Sequence, residues 1–244
     1  MAVPLQHEPE IEYPDSDGKP MAETPIHLEV MLHCIEALKD HFAQEPGVYV
    51  SGNMLLYYQE GKRSSVAPDV FVARVPKEVR DVYLLWRERE APCFVLEVTS
   101  KTTRTEDQRS KKSLYARLGV EEYFLFDPRD EYLHPRLQGL RLAGSGYQPL
   151  RLGADGSLTS RTIGISFQPQ GTSLRLTDAK TGRLLLTYTE WKEKAQAAEE
   201  RAEAAERRAA QAEEREAQAA ERAAEAEARA RALVEEIERL RSQP

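Results

Sequence analysis

Cysteine is scarce in this sequence: only Cys34 and Cys93 occur among 244 residues. The two lie far apart in apolar surroundings, without the spacing of metal ligands or of a disulfide framework, so each is interpreted as a buried free thiol. Apolar runs long enough to cross a bilayer are also missing. The first twenty residues contain no basic segment followed by an apolar core, which a secretion signal would need. We therefore expect a cytoplasmic protein without a membrane partner.

Positive charge is not in excess either. Lys and Arg number 34 against 41 Asp and Glu, which gives a formal net charge of -7. A surface with this balance does not attract polyanions in general, although a local basic groove is compatible with it. The sequence also lacks a Gly-rich phosphate loop and a GxSxG nucleophile elbow, so it offers no sign of the enzyme classes built on these motifs.

Glycine and proline disappear near the C-terminus, and this change divides the chain. Neither occurs between residues 183 and 243, where Ala, Glu and Arg dominate, whereas the preceding part mixes aliphatic, aromatic, Pro and Gly residues as a globular domain does. We predict an N-terminal arm at 1–20, a globular domain at 21–188 and a coiled-coil helix at 189–244.

The C-terminal segment has the pattern of a coiled coil, with an apolar or small residue recurring at alternating spacings of three and four. With Tyr188 at an a position, Leu233 and Leu240 fall at d and Ile237 at a, the arrangement that favours a parallel dimer. The alternative is a solvated single helix held by Glu–Arg pairs, because alanine buries little apolar area. The coiled coil, self-associating as a dimer, is the favoured interpretation.

Two helices are predicted in the globular part. Thr24 and Pro25 have the residue types of an N-cap and a first helical position, and they begin a helix that ends near Phe42. A second helix is predicted at 105–119, with Thr105 as its cap and Gly119 as its stop.

Strands surround these helices in the sequence. They are predicted at 48–58, with an interruption at Gly52, and at 64–75, 93–98 and 121–128, followed by several short strands that end in a hairpin at 173–188. The order of helix, strands, helix and strand favours an α/β domain with a mixed sheet.

Two of these strands carry a carboxylate at one end. Asp69 lies at the start of PDVFVARV, and Glu97 lies at the end of CFVLEV. In adjacent antiparallel strands the start of one lies beside the end of the other, so the two acids could meet at one sheet edge. Close carboxylates raise each other's pKa unless a cation lies between them. Mg²⁺ is held by one or two carboxylates, a carbonyl and waters, so we predict a metal site at Asp69 and Glu97, to which Val98 could add its backbone carbonyl.

The second helix supplies a cation. Lys111 lies three and four residues before Leu114 and Tyr115, so it shares their apolar face. An ammonium that faces a sheet is costly unless it is paired, which makes Lys111 a candidate partner of the two acids. Asp107, one turn earlier, could orient it.

The spaced motifs APDV, VLEVTS, DQRSKKSLY and GVEEYFLFDP resemble the Uma-type restriction endonuclease family, a branch of the PD-(D/E)XK nuclease superfamily. The resemblance spans roughly residues 13 to 188. YPDSDGKPMAET and LRLTDAKTGRLLLTY also resemble one subgroup of that family. The resemblance implies a restriction-endonuclease-like core, with a mixed central sheet flanked by helices, and DNA as the partner.

The resemblance also implies chemistry and residue roles. Asp69, Glu97 and Lys111 would be the catalytic residues of an endonuclease that hydrolyses DNA phosphodiester bonds with Mg²⁺ or Mn²⁺. Many superfamily members carry a lysine two residues after the second acid, where this sequence has Thr99. In this family the lysine is carried by the following helix, at Lys111. The spacing from Lys111 to Tyr115 resembles a Gln-x-x-x-Tyr helix motif of some exonuclease branches.

Three further residues are candidates for supporting roles. Ser100, like Thr99, could bond a phosphate oxygen or cap the following loop, and the cap is favoured. Glu23 and His27 begin the first helix, where related nucleases often place an extra acidic ligand. For Glu23 the favoured interpretation is that an acid in the first turn complements the helix dipole.

Two alternatives remain open at this point. Without a metal site, Asp69 would be a turn residue after Pro68, Glu97 would cap a loop and Lys111 would extend to solvent. The alternative function is a catalytically inactive module that keeps the nuclease fold and acts in assembly or partner binding through its coiled coil.

Overall fold

The computed structural model describes residues 11–16, 18 and 24–241, apart from the side chains of residues 236, 238, 240 and 241. Glu23, one of the candidate site residues, lies outside the described residues, as does most of the predicted arm. The chain forms two compact units, Met1–Tyr188 and Thr189–Pro244.

The first unit contains three helices and twelve strands among its described residues, in the following order along the chain. They are α1 (Pro25–His41), β1 (Tyr49–Ser51), β2 (Leu56–Tyr57), β3 (Ser65–Val66), β4 (Val70–Ala73), β5 (Tyr83–Leu84), α2 (Leu85–Glu88), β6 (Phe94–Val98), α3 (Lys112–Leu118), β7 (Glu122–Phe126), β8 (Leu137–Ala143), β9 (Gly146–Pro149), β10 (Leu158–Thr159), β11 (Ile165–Gln170) and β12 (Ser173–Asp178). A π-helical segment, Glu106–Lys111, leads directly into α3.

A six-stranded sheet forms the centre of this unit, in the order β1-β4-β6-β7-β8-β9. Strands β6 and β7 are parallel, and the other neighbours are antiparallel. The predicted α/β class with a mixed sheet is therefore confirmed. Two three-stranded sheets, β3-β2-β5 and β10-β11-β12, accompany the central sheet.

The central strand β6 is buried along its whole length because apolar layers cover both of its faces. Phe94, Leu96 and Val98 pack in the core that contains α1 and the β11–β12 hairpin. Val95 points to the opposite face, into the core that contains Tyr115 of α3. This double coverage explains why the sequence of β6 is a continuous apolar run up to Glu97.

Helix α1 begins and ends close to the predicted positions. The Thr24 side chain accepts a hydrogen bond from the His27 N–H, Pro25 is the first helical residue, and Phe42 is the C-cap. Cys34 of this helix and Cys93 are buried free thiols, as predicted. Burial raises the pKa of Cys93 to about 11.

Two predicted elements differ from the structure. Residues 64–75 form two short strands, β3 and β4, because strand pairing is interrupted around Pro68, which cannot donate to a strand ladder. Thr105 is not an N-cap: its φ of -73° and ψ of -39° are helical and its side chain makes no capping bond. The segment before α3 is a π-helix rather than an α-helix, whereas Gly119 ends α3 with a φ of 85° as predicted.

The second unit consists of a long helix, α4 (Tyr188–Arg241), that begins at the last residue of the first unit. Ion pairs four residues apart, such as Glu203–Arg207 and Glu227–Arg231, lie along it. Among the described residues, no helix is both long and apolar enough to cross a membrane.

Candidate active site

Asp69 and Glu97 meet at one end of the central sheet. The antiparallel register pairs Val70 of β4 with Leu96 of β6. Asp69, which precedes β4, therefore lies beside Glu97, near the C-terminal end of β6. The Val98 N–H donates a hydrogen bond of 2.7 Å to Asp69 Oδ2. The predicted meeting of the two acids at a sheet edge is therefore present, and the main chain of Val98 lies against the Asp69 carboxylate.

The main chain at Asp69 is fixed by the residues that follow β1. A Cβ atom at Gly52 would lie 2.0 Å from the Asp69 carbonyl oxygen, so only glycine permits this approach. The next N–H, of Asn53, donates to the Pro68 carbonyl at 2.8 Å. Gly52, which interrupts the predicted strand, thus permits the close approach, and the Asn53 hydrogen bond fixes the main chain before Asp69.

His27 contacts Asp69 from the first turn of α1. Its Nε2 lies 3.2 Å from Asp69 Oδ1, and both side chains are largely buried. From the sequence, His27 was only a candidate for a supporting role, near a possible extra acidic ligand. Its contact with Asp69 spans more than forty residues of chain, and no local pattern in the sequence indicates such a pairing.

Lys111 reaches Glu97 from the π-helical segment. Its Nζ lies 2.9 Å from Glu97 Oε2 and 3.2 Å from Asp107 Oδ1. The Tyr115 hydroxyl donates to the other oxygen, Glu97 Oε1, at 2.7 Å. The Tyr123 hydroxyl donates to the Asp107 carbonyl at 2.9 Å and so ties the segment to β7. The structure therefore brings together Asp69, Glu97, Lys111, Asp107 and Tyr115.

The electrostatics of this cluster follow from its burial. Burial raises the pKa of Glu97 well above its ordinary value; Lys111 opposes this shift, and Asp69 and Asp107 add to it. Burial lowers the pKa of Lys111, but the three carboxylates together outweigh burial and raise it. Burial likewise raises the pKa of Asp107. Lys111 is thus held as an ammonium among three acids, which leaves an excess of acidic groups.

A cavity of about 650 Å³ opens at this end of the sheet. Asp69, Thr99 and Lys111 line it, whereas the fully buried Glu97 lies behind them. Arg129 and Tyr132 line the cavity as well, although nothing in the sequence marked them.

Buried Asp127 shapes the wall that carries these two residues. Its side chain accepts hydrogen bonds from the N–H groups of Arg129, at 3.0 Å, and Leu133, at 3.1 Å. The loop begins at the Asp127–Pro128 pair, which was predicted to end the strand. The residues that end this strand therefore also form part of the cavity wall.

The described part of the N-terminal arm forms another part of the cavity lining, through Asp15 and Ser16. Tyr57 holds the arm by donating to the Pro14 carbonyl at 2.8 Å. The Tyr13 ring packs against Trp86, with ring centroids 5.0 Å apart. The arm is therefore attached to the domain where it approaches the cavity.

Ser100 and Thr99 differ in their hydrogen bonds. The Ser100 hydroxyl lies 3.1 Å from the Thr102 hydroxyl and 3.2 Å from that of Thr103, and its N–H donates to Thr103 Oγ1. Ser100 therefore stabilises the turn before the π-helical segment, as favoured from the sequence. The Thr99 hydroxyl is buried and has no hydrogen-bond partner among the described residues.

The donor set fits a hard cation that keeps water ligands. No group of three or more His, Cys, Asp or Glu side chains in the described part of the chain is arranged to hold a metal, but Mg²⁺ needs only one or two carboxylates. Each carboxylate oxygen has two lone pairs, so Asp69 and Glu97 can accept a further bond besides those described above. The raised pKa values of Glu97 and Asp107 mean that their charged forms are costly here, and a divalent cation would offset that cost.

Residues 1–174 match the family described as "Putative restriction endonuclease", Uma2. The match covers more than half of the chain, so the protein belongs to this family, and its membership supports a nuclease as the class of protein. This confirms the family predicted from the spaced motifs.

Similarity to individual proteins is weaker than the match to the family. No curated protein matches the sequence. Among solved structures, the chain is similar to a "putative nuclease belonging to DUF820" from Anabaena variabilis, with 15% identity and a TM-score of 0.45. That similarity covers 59% of this chain and 76% of the other.

Proposed function

We propose that the protein is an endonuclease that hydrolyses DNA phosphodiester bonds with Mg²⁺ or Mn²⁺. The observation that carries the proposal is the convergence of Asp69, Glu97 and Lys111 at one end of the sheet, beside a cavity. Membership of a restriction endonuclease family supports it independently.

In this proposal Asp69, Glu97 and the backbone carbonyl of Val98 would hold the metal ion. When bound, the ion supplies Lewis-acid chemistry, polarising the scissile phosphate and lowering the pKa of a water molecule. The Val98 N–H and His27 fix the Asp69 carboxylate, which is the kind of support that orients a ligand side chain.

Lys111 is the proposed source of electrostatic stabilisation. Lys111 lines the cavity, and its Nζ, held by Glu97 and Asp107, can donate to the attacking water or to the negative charge that develops on the phosphate. Tyr115 fixes the far oxygen of Glu97, so the carboxylate cannot rotate away from Lys111. The positions of the ammonium and the carboxylate are thus set before substrate binds.

DNA is the proposed substrate because the cavity lining provides cations and an aromatic ring despite the acidic balance of the whole chain. Lys101 and Arg129 line the cavity and can contact phosphates. Tyr132 also lines it, and the Arg104 guanidinium lies 5.7 Å from its ring centroid. Aromatic and guanidinium planes are surfaces on which bases stack.

A second candidate is an inactive module with a nuclease fold. The observation that favours it is that Glu97 is fully buried and both of its oxygens already accept hydrogen bonds, from Lys111 and Tyr115. The cluster would then be a structural network that links β6 to α3.

Plasmid cleavage with Mg²⁺ or Mn²⁺ separates the two candidates. We expect the wild type to nick or linearise plasmid and D69N, E97Q and K111M each to lose at least about a hundredfold in rate. The exposed pair Glu36 and Lys39 on α1 provides matched controls, since E36Q and K39M remove the same charges away from the cavity. Equal residual cleavage by all variants would assign the activity to a contaminant and favour the inactive module.

Metal binding can be measured without turnover. Calorimetric titration of the full chain with Mn²⁺ should show a site that D69N weakens by roughly tenfold or more, as loss of a charged oxygen ligand predicts, and that E36Q leaves unchanged. The same heat in the wild type and in D69N would contradict the assignment of the metal to this cluster.

We also propose that α4 mediates dimerisation as a parallel coiled coil. Near its C-terminal end, Leu233, Val234 and Ile237 are 60%, 56% and 51% exposed on the single helix, and Leu233 and Ile237 fall at d and a. A second copy of the helix would cover this seam.

Light scattering on the full chain tests the dimer. The wild type should have the mass of two chains, and the double variant L233D/I237D should be monomeric because two charges would enter the seam. A228D, whose position in the heptad lies opposite the seam, is the matched control and should remain dimeric. A monomeric wild type would refute the coiled-coil proposal and leave the nuclease proposal untouched.

A further inference from the structure

Thr99 occupies a rigid position on the cavity wall. Side chains alternate along a strand, so Thr99, which follows β6, continues the face of Glu97. Its N–H donates to the Phe126 carbonyl at 2.7 Å, which extends the pairing of β6 with β7. Like Asp69 and Lys111, it lines the cavity.

The Thr99 hydroxyl has an unusual environment for a polar group. The residue is 2% exposed, and its Oγ1 has no hydrogen-bond partner among the residues that the structure describes. A buried hydroxyl without a partner is destabilising, because it has lost its bonds to water. The adjacent Ser100 hydroxyl, by contrast, has two hydroxyl neighbours within hydrogen-bond distance. Thr99 therefore offers a donor that the fold itself does not use.

We propose that Thr99 Oγ1 donates a hydrogen bond to a non-bridging phosphate oxygen of the DNA strand in the cavity. This inference rests on the proposed function and assigns one contact within it. A phosphate is the indicated acceptor because Lys111, Lys101 and Arg129 line the same cavity as Thr99, and these cations can hold an anion there beside the acids Asp15, Asp69 and Asp127. A hydroxyl bonded to an anionic oxygen makes a short, strong hydrogen bond.

This role predicts that loss of the hydroxyl weakens DNA binding without lowering the stability of the free protein. Thr99→Val replaces the hydroxyl with a methyl group of the same shape. Removing an unpartnered polar group does not destabilise the fold, so the urea midpoint of the free protein should equal or exceed that of the wild type. Loss of a hydrogen bond to a charged group should weaken binding of a labelled DNA oligonucleotide by roughly ten- to a hundredfold. Binding is measured by fluorescence polarisation with Ca²⁺ in place of Mg²⁺.

Two further variants give the experiment its controls. Thr99→Ser keeps the hydroxyl and should bind within about threefold of the wild type. Thr159→Val removes an exposed threonine of β10, which does not line the cavity, and should bind as the wild type does.

Three results would overturn the inference. A lower urea midpoint for Thr99→Val would overturn the inference, because the hydroxyl would then have a structural partner. DNA binding by Thr99→Val equal to that of the wild type would also overturn it, as would binding by Thr99→Ser as weak as that of Thr99→Val. A wild type that neither binds nor cleaves DNA would refute the proposed function, whereas an active wild type with an equally active Thr99→Val would refute this contact alone.

Discussion

Replacing Lys111 with methionine tests the electrostatic core of the site. The ammonium contacts Glu97, which is fully buried, and Asp107, which is 1% exposed, while Lys111 itself is 12% exposed at the cavity. Methionine preserves most of the volume of the side chain but leaves both acids without their cation. Breaking a buried pair by removing one partner costs about 3–5 kcal/mol. The cavity admits water, so we expect the lower end of this range, about 3 kcal/mol.

The loss should depend on pH with a definite sign. Lys111 has a raised pKa, so in the wild type it stays charged below the ordinary lysine value of about 10.4. Burial already raises the pKa of Glu97, and removing Lys111 removes the group that opposes this shift. The folded variant then binds more protons than the unfolded chain above about pH 4.3, so its stability falls as pH rises through that window. The deficit of K111M should be smallest near pH 4 and should grow toward neutral pH.

Urea denaturation at several pH values, followed by tryptophan fluorescence, measures this deficit. At pH 7.5 a loss of about 3 kcal/mol corresponds to a melting temperature lower by roughly 6–12 °C for a domain of this size. K39M, which removes a lysine from an exposed pair, should change stability by less than about 1 kcal/mol. The double variant E97Q/K111M should regain part of the loss, since no unpaired glutamate remains. A K111M protein as stable as the wild type at every pH would refute the ion-pair account.

Two further predictions concern the residues that hold the acids in place. Gly52→Ala would place a methyl group 2.0 Å from the Asp69 carbonyl oxygen. It should lower the free energy of unfolding by about 2–3 kcal/mol and reduce cleavage. Gly47→Ala, with open space around its Cβ position, is the control and should change neither. Tyr115→Phe removes the hydrogen bond to Glu97 Oε1 and should lower the free energy of unfolding by about 1–3 kcal/mol, since it leaves a buried acceptor without this partner. An unchanged urea midpoint would mean that this bond is not formed in solution.

Local patterns in the sequence were sufficient for the elements that carry the acids. Thr24 and Pro25 define the start of α1 by capping chemistry alone, and the apolar run before Glu97 defines β6 by its burial on both faces. The adjacency of Asp69 and Glu97 follows from antiparallel pairing once both strands are recognised. These inferences need only periodicity, residue type and one rule of sheet geometry.

Local patterns failed where the chain departs from regular geometry or where contacts are distant. The sequence of the π-helical segment has the composition of an ordinary helix, so its extra residue per turn and the helical conformation of Thr105 were not predictable from it. The contact between His27 and Asp69, and the position of Arg129 and Tyr132 on the cavity wall, depend on how whole elements pack. Residue types at those positions are compatible with many other roles.

Because Lys111 of the π-helical segment supplies the ammonium of the site, a threonine is suited to the strand position two residues after Glu97. Residues 97 and 99 share a face of the strand, so a lysine at 99 would bring a second ammonium toward carboxylates that Lys111 already contacts at 2.9 and 3.2 Å. Two ammonium groups that share the same carboxylates would repel each other, and the longer side chain would fill part of the cavity. With the cation supplied by the π-helical segment, a short side chain at Thr99 leaves room for a phosphate group. The position of the lysine and the shape of the proposed substrate site are therefore linked features of one arrangement.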